Sequence, residues 1–385
     1  MRREISVLIT FFLVISLCLP LGSGAAWAAD LELECEGAIL MDAGTGQVLY
    51  EKNSNVKWYP ASMTKIMTMV LVLEAVRDGR VTLDEKVMAS ENACSYGGTQ
   101  VWLEPGEEFT LEEMLKAIAV GSANDCSVAV AEHLAGSEEA FAEQMTQRAK
   151  ELGAKNTNFV NSHGLHDDNH YTSPYDLAVI ARYAVTLPRM LELTSIKEYT
   201  FREDPELVLY NTNKLLWWFE GTRGLKTGTT DKAKRNLTAV AERDELRLIS
   251  VVMGAEGSRG HFTQSMSLLR YGFAKYGYKH FYEPEQQVGT VTVGKGERDT
   301  VAVAPKEAVG IIIPKGEDEG IEVKLVLPKL VKAPIDEGQE VGSVKILKDG
   351  KEVRSVPLGA TESVPRGSLV RQVKKVLLGV FTMNK

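Results

Sequence analysis

The stretch YPASMTKIMT, residues 59–68, places a serine three positions before a lysine at the start of an apolar run. Ser62 follows Pro60 and Ala61, in the position of a helix N-cap or first-turn residue. The same spacing puts the Ser62 hydroxyl and the Lys65 amine one helical turn apart on one face. Two interpretations are open, a capped helix start with a surface lysine or a nucleophile beside its base.

The bulk composition indicates a globular protein with more than one domain. The chain has 385 residues, of which 44% are hydrophobic and 25% are charged. At about 100–200 residues for each domain, this length predicts two or three domains. The net charge of -8, without an arginine-rich stripe, argues against nucleic acid as a partner.

Residues 1–28 have the pattern of a secretory signal peptide. Arg2 and Arg3 precede an apolar stretch from Val7 to Leu19, and Ala26-Trp27-Ala28 forms a small-x-small cleavage site. The apolar stretch is too short to span a bilayer in the usual way, so we expect an exported protein.

Cleavage leaves three cysteines, Cys35, Cys94 and Cys126. An odd and sparse set in an exported chain of this length is not a disulfide framework, and whether two of them pair stays open. Their spacing fits no zinc motif, and we assign them no catalytic role.

Residues 29–283 are predicted to form an α/β (α+β) domain with an antiparallel sheet flanked by helices. AILMDAGTGQVLYEKN (38–53) and NLTAVAERDELRLISVVMG (236–254) each predict two strands around a turn. The apolar residues after Ser62 recur at helical spacing, and residues 111–152 are helix-rich with a break at Gly121-Ser122. Strands at both ends of a helical middle favour one shared sheet.

Residues 284–363 differ in composition from the preceding chain. Short Val/Ile runs such as VGTVTVGKG and GIEVKLVLPKL are separated by Gly, Pro and Lys. This pattern predicts a small all-β domain, a sandwich rather than a barrel. Because these residues include no His or Cys and no recognisable catalytic cluster, we expect this domain to have a positioning role and not a catalytic one.

Residues 364–385 predict an amphipathic helix. Apolar residues recur at helical period, Arg371, Lys374 and Lys375 lie off that stripe, and no acidic residue follows Glu362. This pattern favours a helix lying on an anionic membrane surface, since the stretch is too short and too charged to span the bilayer. The alternative is a helix docked on the protein itself or on a partner.

Two further short motifs follow the serine–lysine pair. Ser122-Ala123-Asn124 lies at the break in the helical region, and Lys226-Thr227-Gly228 lies in a β-prone stretch. With Ser62 and Lys65 they match, in order, the Ser-x-x-Lys, Ser-Asp-Asn and Lys-Thr-Gly signature of class A β-lactamases and penicillin-binding proteins. Ala123 replaces the middle aspartate.

From about residue 35 to the C-terminus, the chain resembles low-molecular-mass penicillin-binding proteins, which are serine-type D-alanyl-D-alanine carboxypeptidases. NSHGLHDDNHYTSPYDLA (161–178) is also similar to this family's Ser-His-Gly-Leu and Tyr-Thr-x-x-Tyr-Asp region. The resemblance implies a penicillin-binding transpeptidase/β-lactamase-like domain, a β-rich domain and an amphipathic anchor. It also implies a peptidoglycan pentapeptide substrate, inhibition by β-lactam antibiotics, no cofactor, and a peripheral location at the outer face of the cytoplasmic membrane.

The chemistry explains why these residue types are needed. A serine hydroxyl is a weak nucleophile and needs a base. At an ordinary pKa near 10.4, Lys65 would be protonated, but burial and a second cation such as Lys226 would favour its neutral amine. We therefore expect Ser62 to be the nucleophile and Lys65 the acylation base. The resemblance implies that Ser122 relays a proton to the leaving D-alanine nitrogen and that Asn124 holds the substrate amide.

The resemblance also implies the remaining substrate contacts. Lys226 and Thr227 would meet the terminal carboxylate of the substrate, and Gly228 completes their motif. The oxyanion hole would be formed by the backbone N–H groups of Ser62 and Thr229.

One position departs from the family pattern. Many members carry an arginine after the second hairpin that helps to bind the terminal carboxylate. In GSRGHFTQSMSLL this chain has His261 at that place and Arg259 two residues earlier. Either Arg259 reaches the site, or His261 substitutes, or carboxylate recognition is weaker.

Three other functions are weighed against this interpretation. A class A β-lactamase carries a glutamate that activates water; NTNFVNSHGLHDDNH has none, and only Asp167 or Asp168 could replace it. A metallopeptidase could use His163, His166 and His170, but Gly164 and the Asp-Asp-Asn run favour a loop and no His-Glu-x-x-His is present, so we expect no metal. A non-catalytic cell-wall binding protein would not need all three motifs.

Overall fold

The computed structural model describes residues 31–372. The predicted signal peptide and residues 373–385 of the predicted C-terminal helix lie outside the described residues. The N-terminal half of the described chain is mainly helical. Its helices, with the later α9, are α1 (Lys65–Arg77), α2 (Glu91–Ser95), α3 (Leu111–Lys116), α4 (Asn124–Ala135), α5 (Glu138–Glu151), α6 (Pro174–Ala184), α7 (Met190–Ser195), α8 (Leu215–Trp218) and α9 (Gly260–Lys275).

A five-stranded antiparallel sheet forms the centre of the first domain. Its strand order is β2-β1-β9-β8-β7, so β7 lies at the edge. The strands of this sheet are β1 (Gly37–Asp42), β2 (Val48–Lys52), β7 (Thr222–Thr230), β8 (Lys234–Arg243) and β9 (Leu246–Ala255). Two separate two-stranded ribbons are formed by β3 (Lys86–Met88) with β4 (Glu108–Thr110), and by β5 (Glu198–Glu203) with β6 (Glu206–Tyr210). The hairpins predicted at 38–53 and 236–254 are therefore confirmed, and the sheet joins both ends of the domain.

Helices cover both faces of this sheet. Ile39 and Ile249 belong to the same core cluster as Ile66 and Val70 of α1. On the opposite face α9 packs closely, since a Cβ added at Gly272 would lie 2.5 Å from Leu248 Cδ1. Successive residues of a strand point to opposite faces, so one strand supplies both layers.

Helix α1 differs from its predicted form. The recurring apolar residues predict one buried face, whereas every residue from Lys65 to Ala75 is buried. Packing of the sheet on one side and of other helices around the rest surrounds the helix. The base predicted from the sequence therefore lies on the part of the helix that is enclosed on all sides.

The second domain consists of β-strands, as predicted. A six-stranded sheet has the order β14-β16-β17-β12-β11-β15, and β10 and β13 form a ribbon. Val303 of the sheet and Ile311 of the ribbon share one hydrophobic core, as the two layers of a sandwich do. The strands are β10 (Tyr276–Tyr282), β11 (Gly289–Gly294), β12 (Thr300–Pro305), β13 (Val309–Pro314), β14 (Ile321–Val326), β15 (Leu330–Lys332), β16 (Glu340–Lys348) and β17 (Lys351–Ala360).

Two further observations concern the described part of the chain only. Between residues 31 and 372, none of the helices has the length and apolar character needed to cross a bilayer. Cys35, Cys94 and Cys126 are free thiols. The helix predicted at 364–385 begins later than expected, because Val364 and Arg366 form β-bridges with the β-rich domain and the described helical residues start at Leu369; its binding to a membrane stays a prediction.

Candidate active site

Ser62, the predicted nucleophile, lies in the turn Ala61–Thr64 before α1, which we call the nucleophile turn. Ala61–Thr64 form a single 3-10 turn that continues directly into the helix at Lys65. Ala61 has a φ of 50°, in the left-handed region that residues other than glycine seldom adopt. Thr64 Oγ1 donates a hydrogen bond of 2.8 Å to the Ala61 carbonyl and so holds this turn from within.

Lys65 is fully buried beneath Ser62. Its Nζ donates to Asn124 Oδ1 and to the His163 carbonyl, both at 2.7 Å, and lies 3.3 Å from Ser62 Oγ. Burial, followed by the charge of Lys226, lowers the pKa of Lys65 well below its ordinary value. A neutral amine has two N–H donors and one lone pair. The two carbonyl oxygens accept from the donors, so the lone pair is left for the Ser62 hydroxyl.

The second motif enters the site between two helices. A π turn over Ala117–Gly121 ends at Ser122, which has a φ of 66° and is buried. Asn124, at the start of α4, accepts from Lys65 with Oδ1 and donates to the Gly97 carbonyl with Nδ2 at 2.7 Å. Within residues 31–372 the Ser122 hydroxyl has no hydrogen-bond partner, so it can accept one from a substrate.

The third motif lies on the edge strand β7. Lys226 is 1% exposed, and burial lowers its pKa to about 7. Its Nζ donates to the Thr227 carbonyl at 3.2 Å, and Thr227 Oγ1 donates to Thr212 Oγ1 at 2.7 Å. Thr229 is exposed on the same strand. The edge position leaves one side of β7 without a neighbouring strand in the described sheet.

Gly228 brings this strand against the nucleophile turn. A Cβ at this position would lie 2.5 Å from the Pro60 carbonyl oxygen and 3.0 Å from the Ser62 nitrogen. Real Cβ atoms do not approach backbone that closely, so only glycine fits. The structure thus gives the third residue of the Lys-Thr-Gly motif a packing role beside Ser62.

Three residues that hold the nucleophile turn were not singled out as such from the sequence. Asn236 on β8 donates to the Tyr59 carbonyl at 2.8 Å and accepts from the Gly254 N–H at 2.7 Å. His170 Nε2 lies 2.7 Å from Thr64 Oγ1, and a Cβ at Gly164 would lie 1.9 Å from the Ala61 carbonyl oxygen. A signal existed for Asn236, because asparagine is depleted within strands.

His163, one of the three histidines considered as metal ligands, contacts the predicted base. Its carbonyl accepts from Lys65, and its Nδ1 accepts from the Leu165 N–H at 3.0 Å. Burial lowers the pKa of His163 to about 2, with the Lys65 charge as the second cause, so the ring is neutral. Within the described part of the chain, no group of three or more His, Cys, Asp or Glu residues could hold a metal ion.

His261 and Arg259, the two candidates for binding the terminal carboxylate of the substrate, have different environments. His261 lies in the first turn of α9, is 4% exposed, and its Nδ1 has no partner among the described residues. Burial, followed by the charge of Arg235, lowers the pKa of His261 to about 4, so the ring is uncharged at neutral pH. Arg259 is exposed, with its guanidinium 5.6 Å from the ring centre of Trp218.

The two candidate aspartates for water activation lie on the surface. Asp167 accepts from the Asn169 N–H at 2.7 Å, and Asp168, whose side chain is 88% exposed, lies 3.3 Å from His166 Nε2. Both carboxylates are exposed to solvent. Their environment gives no support to a β-lactamase function.

Comparison with known proteins agrees with this geometry. Residues 24–257 match the family described as D-alanyl-D-alanine carboxypeptidase, and residues 276–366 match the C-terminal domain of penicillin-binding protein 5. D-alanyl-D-alanine carboxypeptidase DacF of Bacillus subtilis is 40% identical, over 91% of this chain and 90% of that protein. DacA of Escherichia coli is 32% identical, over 89% and 86%.

Solved structures show the same architecture. Penicillin-binding protein 5 of Haemophilus influenzae is 32% identical, with a TM-score of 0.73 over 87% of this chain and 98% of that chain. Penicillin-binding protein D2 of Listeria monocytogenes, solved with ampicillin bound, is 31% identical, with a TM-score of 0.58 over 63% and 99%. Motifs, fold and relatives agree, and the chain belongs to the D-alanyl-D-alanine carboxypeptidase family.

Proposed function

We propose that this protein removes the terminal D-alanine from peptidoglycan stem pentapeptides through an acyl-enzyme on Ser62. The observation that carries this proposal is the environment of Lys65. A buried amine with both N–H donors engaged by carbonyl oxygens keeps its lone pair directed at the nucleophile.

The first step is acylation. Ser62 Oγ attacks the carbonyl carbon of the penultimate D-alanine while its proton passes to Lys65 Nζ. The C–N bond then breaks, and the leaving amine of the terminal D-alanine takes up a proton through the Ser122 hydroxyl. Lys65 is the source of that proton, so the amine is neutral again when the acyl-enzyme has formed.

The second step is hydrolysis of the ester. Water adds to the acyl carbon, and Ser62 Oγ leaves and regains a proton, which releases the shortened peptide. In both steps negative charge develops on the acyl oxygen. We assign its stabilisation to the backbone N–H groups of Ser62 and Thr229, because Gly228 brings β7 against the Ser62 nitrogen.

The edge strand offers a binding mode for the extended peptide. An added strand can pair with the unpaired edge of β7 through main-chain hydrogen bonds. Thr227, on that strand, would then face the end of the peptide, and Lys226, on the opposite face of the strand, would add its charge from beneath. Asn124 keeps one N–H beyond its bond to Gly97, and we assign this donor to the substrate amide.

β-Lactam antibiotics are proposed as inhibitors that acylate the same serine. A relative of this chain has been solved with ampicillin bound and also with cefotaxime bound. Within the described residues Ser62 has no buried carboxylate hydrogen-bonded beside it to activate water, which supports slow release of the acyl group.

We further propose an exported protein at the outer face of the cytoplasmic membrane. The support is the signal-like pattern of residues 1–28 and the amphipathic pattern of residues 364–385. The proposed division is a catalytic domain that ends with α9, a β-rich domain that begins with β10 at Tyr276, before the boundary predicted at 283/284, and a membrane-binding helix at the C-terminal end of the predicted segment 364–385.

Mass spectrometry of the signal-free protein after incubation with benzylpenicillin tests the proposal. We expect a stable one-to-one adduct on Ser62 that is absent in Ser62→Ala, and release of D-alanine from a pentapeptide by the wild type alone. An intact drug without adduct would contradict the proposal in favour of a non-catalytic wall-binding protein. Rapid turnover of the drug without a lasting adduct would contradict it in favour of a β-lactamase.

A further inference from the structure

The proposed substrate ends in a carboxylate. A cation near the edge strand β7 would bind this group through charge-assisted hydrogen bonds. Lys226 is buried beneath the site, His261 is neutral at pH 7, and Arg259 is exposed over Trp218. Neither His261 nor Arg259, the two candidates from the sequence, therefore places a positive charge where the terminal carboxylate of the substrate would lie.

Arg235 lies at the start of β8, between two strands of the catalytic sheet. It pairs with Thr229 of β7 on one side and with Ala255 of β9 on the other. Directly opposite residues of antiparallel strands have side chains on the same face, with Cβ atoms about 4.5–5.5 Å apart. The Arg235 side chain therefore lies on the face of β7 that carries Thr229.

The first turn of α9 covers the same face. A Cβ added at Gly260 would lie 3.5 Å from the Ala255 Cβ atom, which is directly opposite Arg235 on β9. His261 follows Gly260 and lies near enough to Arg235 for its pKa to be lowered by that charge. The guanidinium thus occupies the region between the edge strand and the start of α9.

Arg235 differs from its neighbours in having no partner. Lys234 binds Glu36 at 2.8 Å and Glu256 at 2.7 Å, and Arg247 pairs with Glu242 at 3.2 Å. Among residues 31–372 no carboxylate lies in ion-pair distance of Arg235, and its guanidinium donates no side-chain hydrogen bond. A half-buried arginine without a counter-charge is a ready receptor for a carboxylate.

We propose that Arg235 binds the terminal carboxylate of the substrate, in place of the arginine that many family members carry at position 261. A guanidinium can bind both carboxylate oxygens at once through two parallel hydrogen bonds. Thr227 lies one diagonal from Arg235 across the β7–β8 pair, within about 7–8 Å, so both can reach one group. His261, which is buried and uncharged at neutral pH, lies beside Arg235 without competing for the carboxylate. This inference rests on the proposed function.

The test compares two peptides that differ only in the charge of their last residue. Diacetyl-L-Lys-D-Ala-D-Ala and its C-terminal amide are cleaved with wild type, Arg235→Gln, Arg235→Lys and Arg259→Gln, and kcat and KM are measured separately. Arg235→Gln keeps a polar side chain, shorter than arginine, and removes its charge, and thermal unfolding checks that each variant is folded.

We expect Arg235→Gln to lower kcat/KM for the acid by about 10- to 100-fold, as for loss of one charge-assisted interaction, mainly through KM. Cleavage of the amide should not change, and Arg235→Lys should recover part of the loss. Arg259→Gln is the matched control and should leave both peptides unaffected.

Equal losses for acid and amide in Arg235→Gln would show a structural role and overturn the inference. A variant that retains the wild-type preference for the acid would overturn it as well, and a preference lost only in Arg259→Gln would assign the carboxylate to Arg259. In all three cases wild-type cleavage and the Ser62 adduct would remain, so the proposed function would stand. Their absence from the wild type would instead overturn both.

Discussion

At the scale of single residues, the site contains backbone conformations and buried amines that each lower the stability of the folded protein. Ala61 and Ser122 both have positive φ values, at 50° and 66°, and both adjoin or carry the proposed chemistry. Such a backbone costs about 1–3 kcal/mol per residue and persists only where the surroundings hold it. Two buried lysines, Lys65 and Lys226, add the cost of desolvating an amine.

The pH dependence of acylation tests the roles of these lysines. In the proposed mechanism the active form has a neutral Lys65, whose pKa is lowered by burial and then by Lys226, and a charged Lys226, whose pKa burial lowers to about 7. The rate of Ser62 acylation by benzylpenicillin should therefore fall at low pH, as Lys65 gains a proton, and at high pH, as Lys226 loses one. The two limits belong to the pair, because the groups interact.

Two variants separate the limbs of this profile. Lys65→Arg keeps a charge that cannot be lost, and should lower the acylation rate by about 10²–10⁴-fold at every pH. Lys226→Arg should keep the acid limb and lose the alkaline one. An alkaline limb that persists in Lys226→Arg would show that another group controls it.

At the scale of elements, the nucleophile turn is held by contacts from three separate segments. β7 approaches through Gly228, β8 binds the Tyr59 carbonyl through Asn236, and the loop after α5 approaches Ala61 through Gly164. Each contact fixes backbone rather than side chain. The position of Ser62 therefore depends on how these segments pack, more than on the helix that follows it.

A glycine substitution in the loop tests this dependence. Gly164 has a φ of +91°, and a Cβ there would lie 1.9 Å from the Ala61 carbonyl oxygen, so Gly164→Ala must displace the nucleophile turn. Beyond the backbone cost of about 1–3 kcal/mol, we expect a large loss of acylation rate. Gly153 is the matched control, since it has a φ of +97° and no atom within 4 Å of an added Cβ.

Thermal unfolding and penicillin acylation are measured on both variants. Gly153→Ala should lose stability through its backbone alone and acylate at the wild-type rate. Equal effects of the two substitutions on acylation would show that contact with the Ala61 carbonyl does not position Ser62.

At the scale of the whole molecule, the two domains have separate hydrophobic cores. Ile39, Val70 and Ile249 belong to the core of the catalytic domain, and Val303 and Ile311 to that of the β-rich domain. The chain passes from one to the other where α9 continues into β10. Domains with their own cores often unfold in separate steps.

Differential scanning calorimetry of the full protein tests this independence. We expect two transitions, of which acylation of Ser62 by benzylpenicillin shifts only one to higher temperature, because the acyl group stabilises only the domain that binds it. Ser62→Ala should show no shift with the drug. A single transition that moves as a whole would mean that the domains unfold together.

Much of the fold could be predicted from local patterns. The hairpins at 38–53 and 236–254, the helix after Ser62 and the break at Gly121-Ser122 all follow from apolar periodicity and turn residues, which act over a few positions. The three motifs were recognised in the same way, and the structure brings Ser62, Lys65, Asn124 and Lys226 into one site.

The contacts that complete the site join distant parts of the chain. Asn236 and the Pro60 carbonyl are 176 positions apart, and His170 and Thr64 are 106 apart. No local pattern records such a pairing, because it depends on strand register and on where helices pack. The burial of every residue from Lys65 to Ala75 of α1 has the same origin. Distant elements pack against the side of this helix that its apolar pattern does not mark as buried.

The sequence by itself predicted Ser62 as the nucleophile, Lys65 as its base and the order of the two domains, because short motifs and apolar spacing depend only on neighbouring positions. Only the tertiary structure distinguishes the candidate cations for the end of the proposed substrate. His261 occupies the expected position but is buried and neutral, whereas the β7–β8 register places Arg235 opposite Thr229. Charge in a protein depends on burial and neighbours, and both are set by packing.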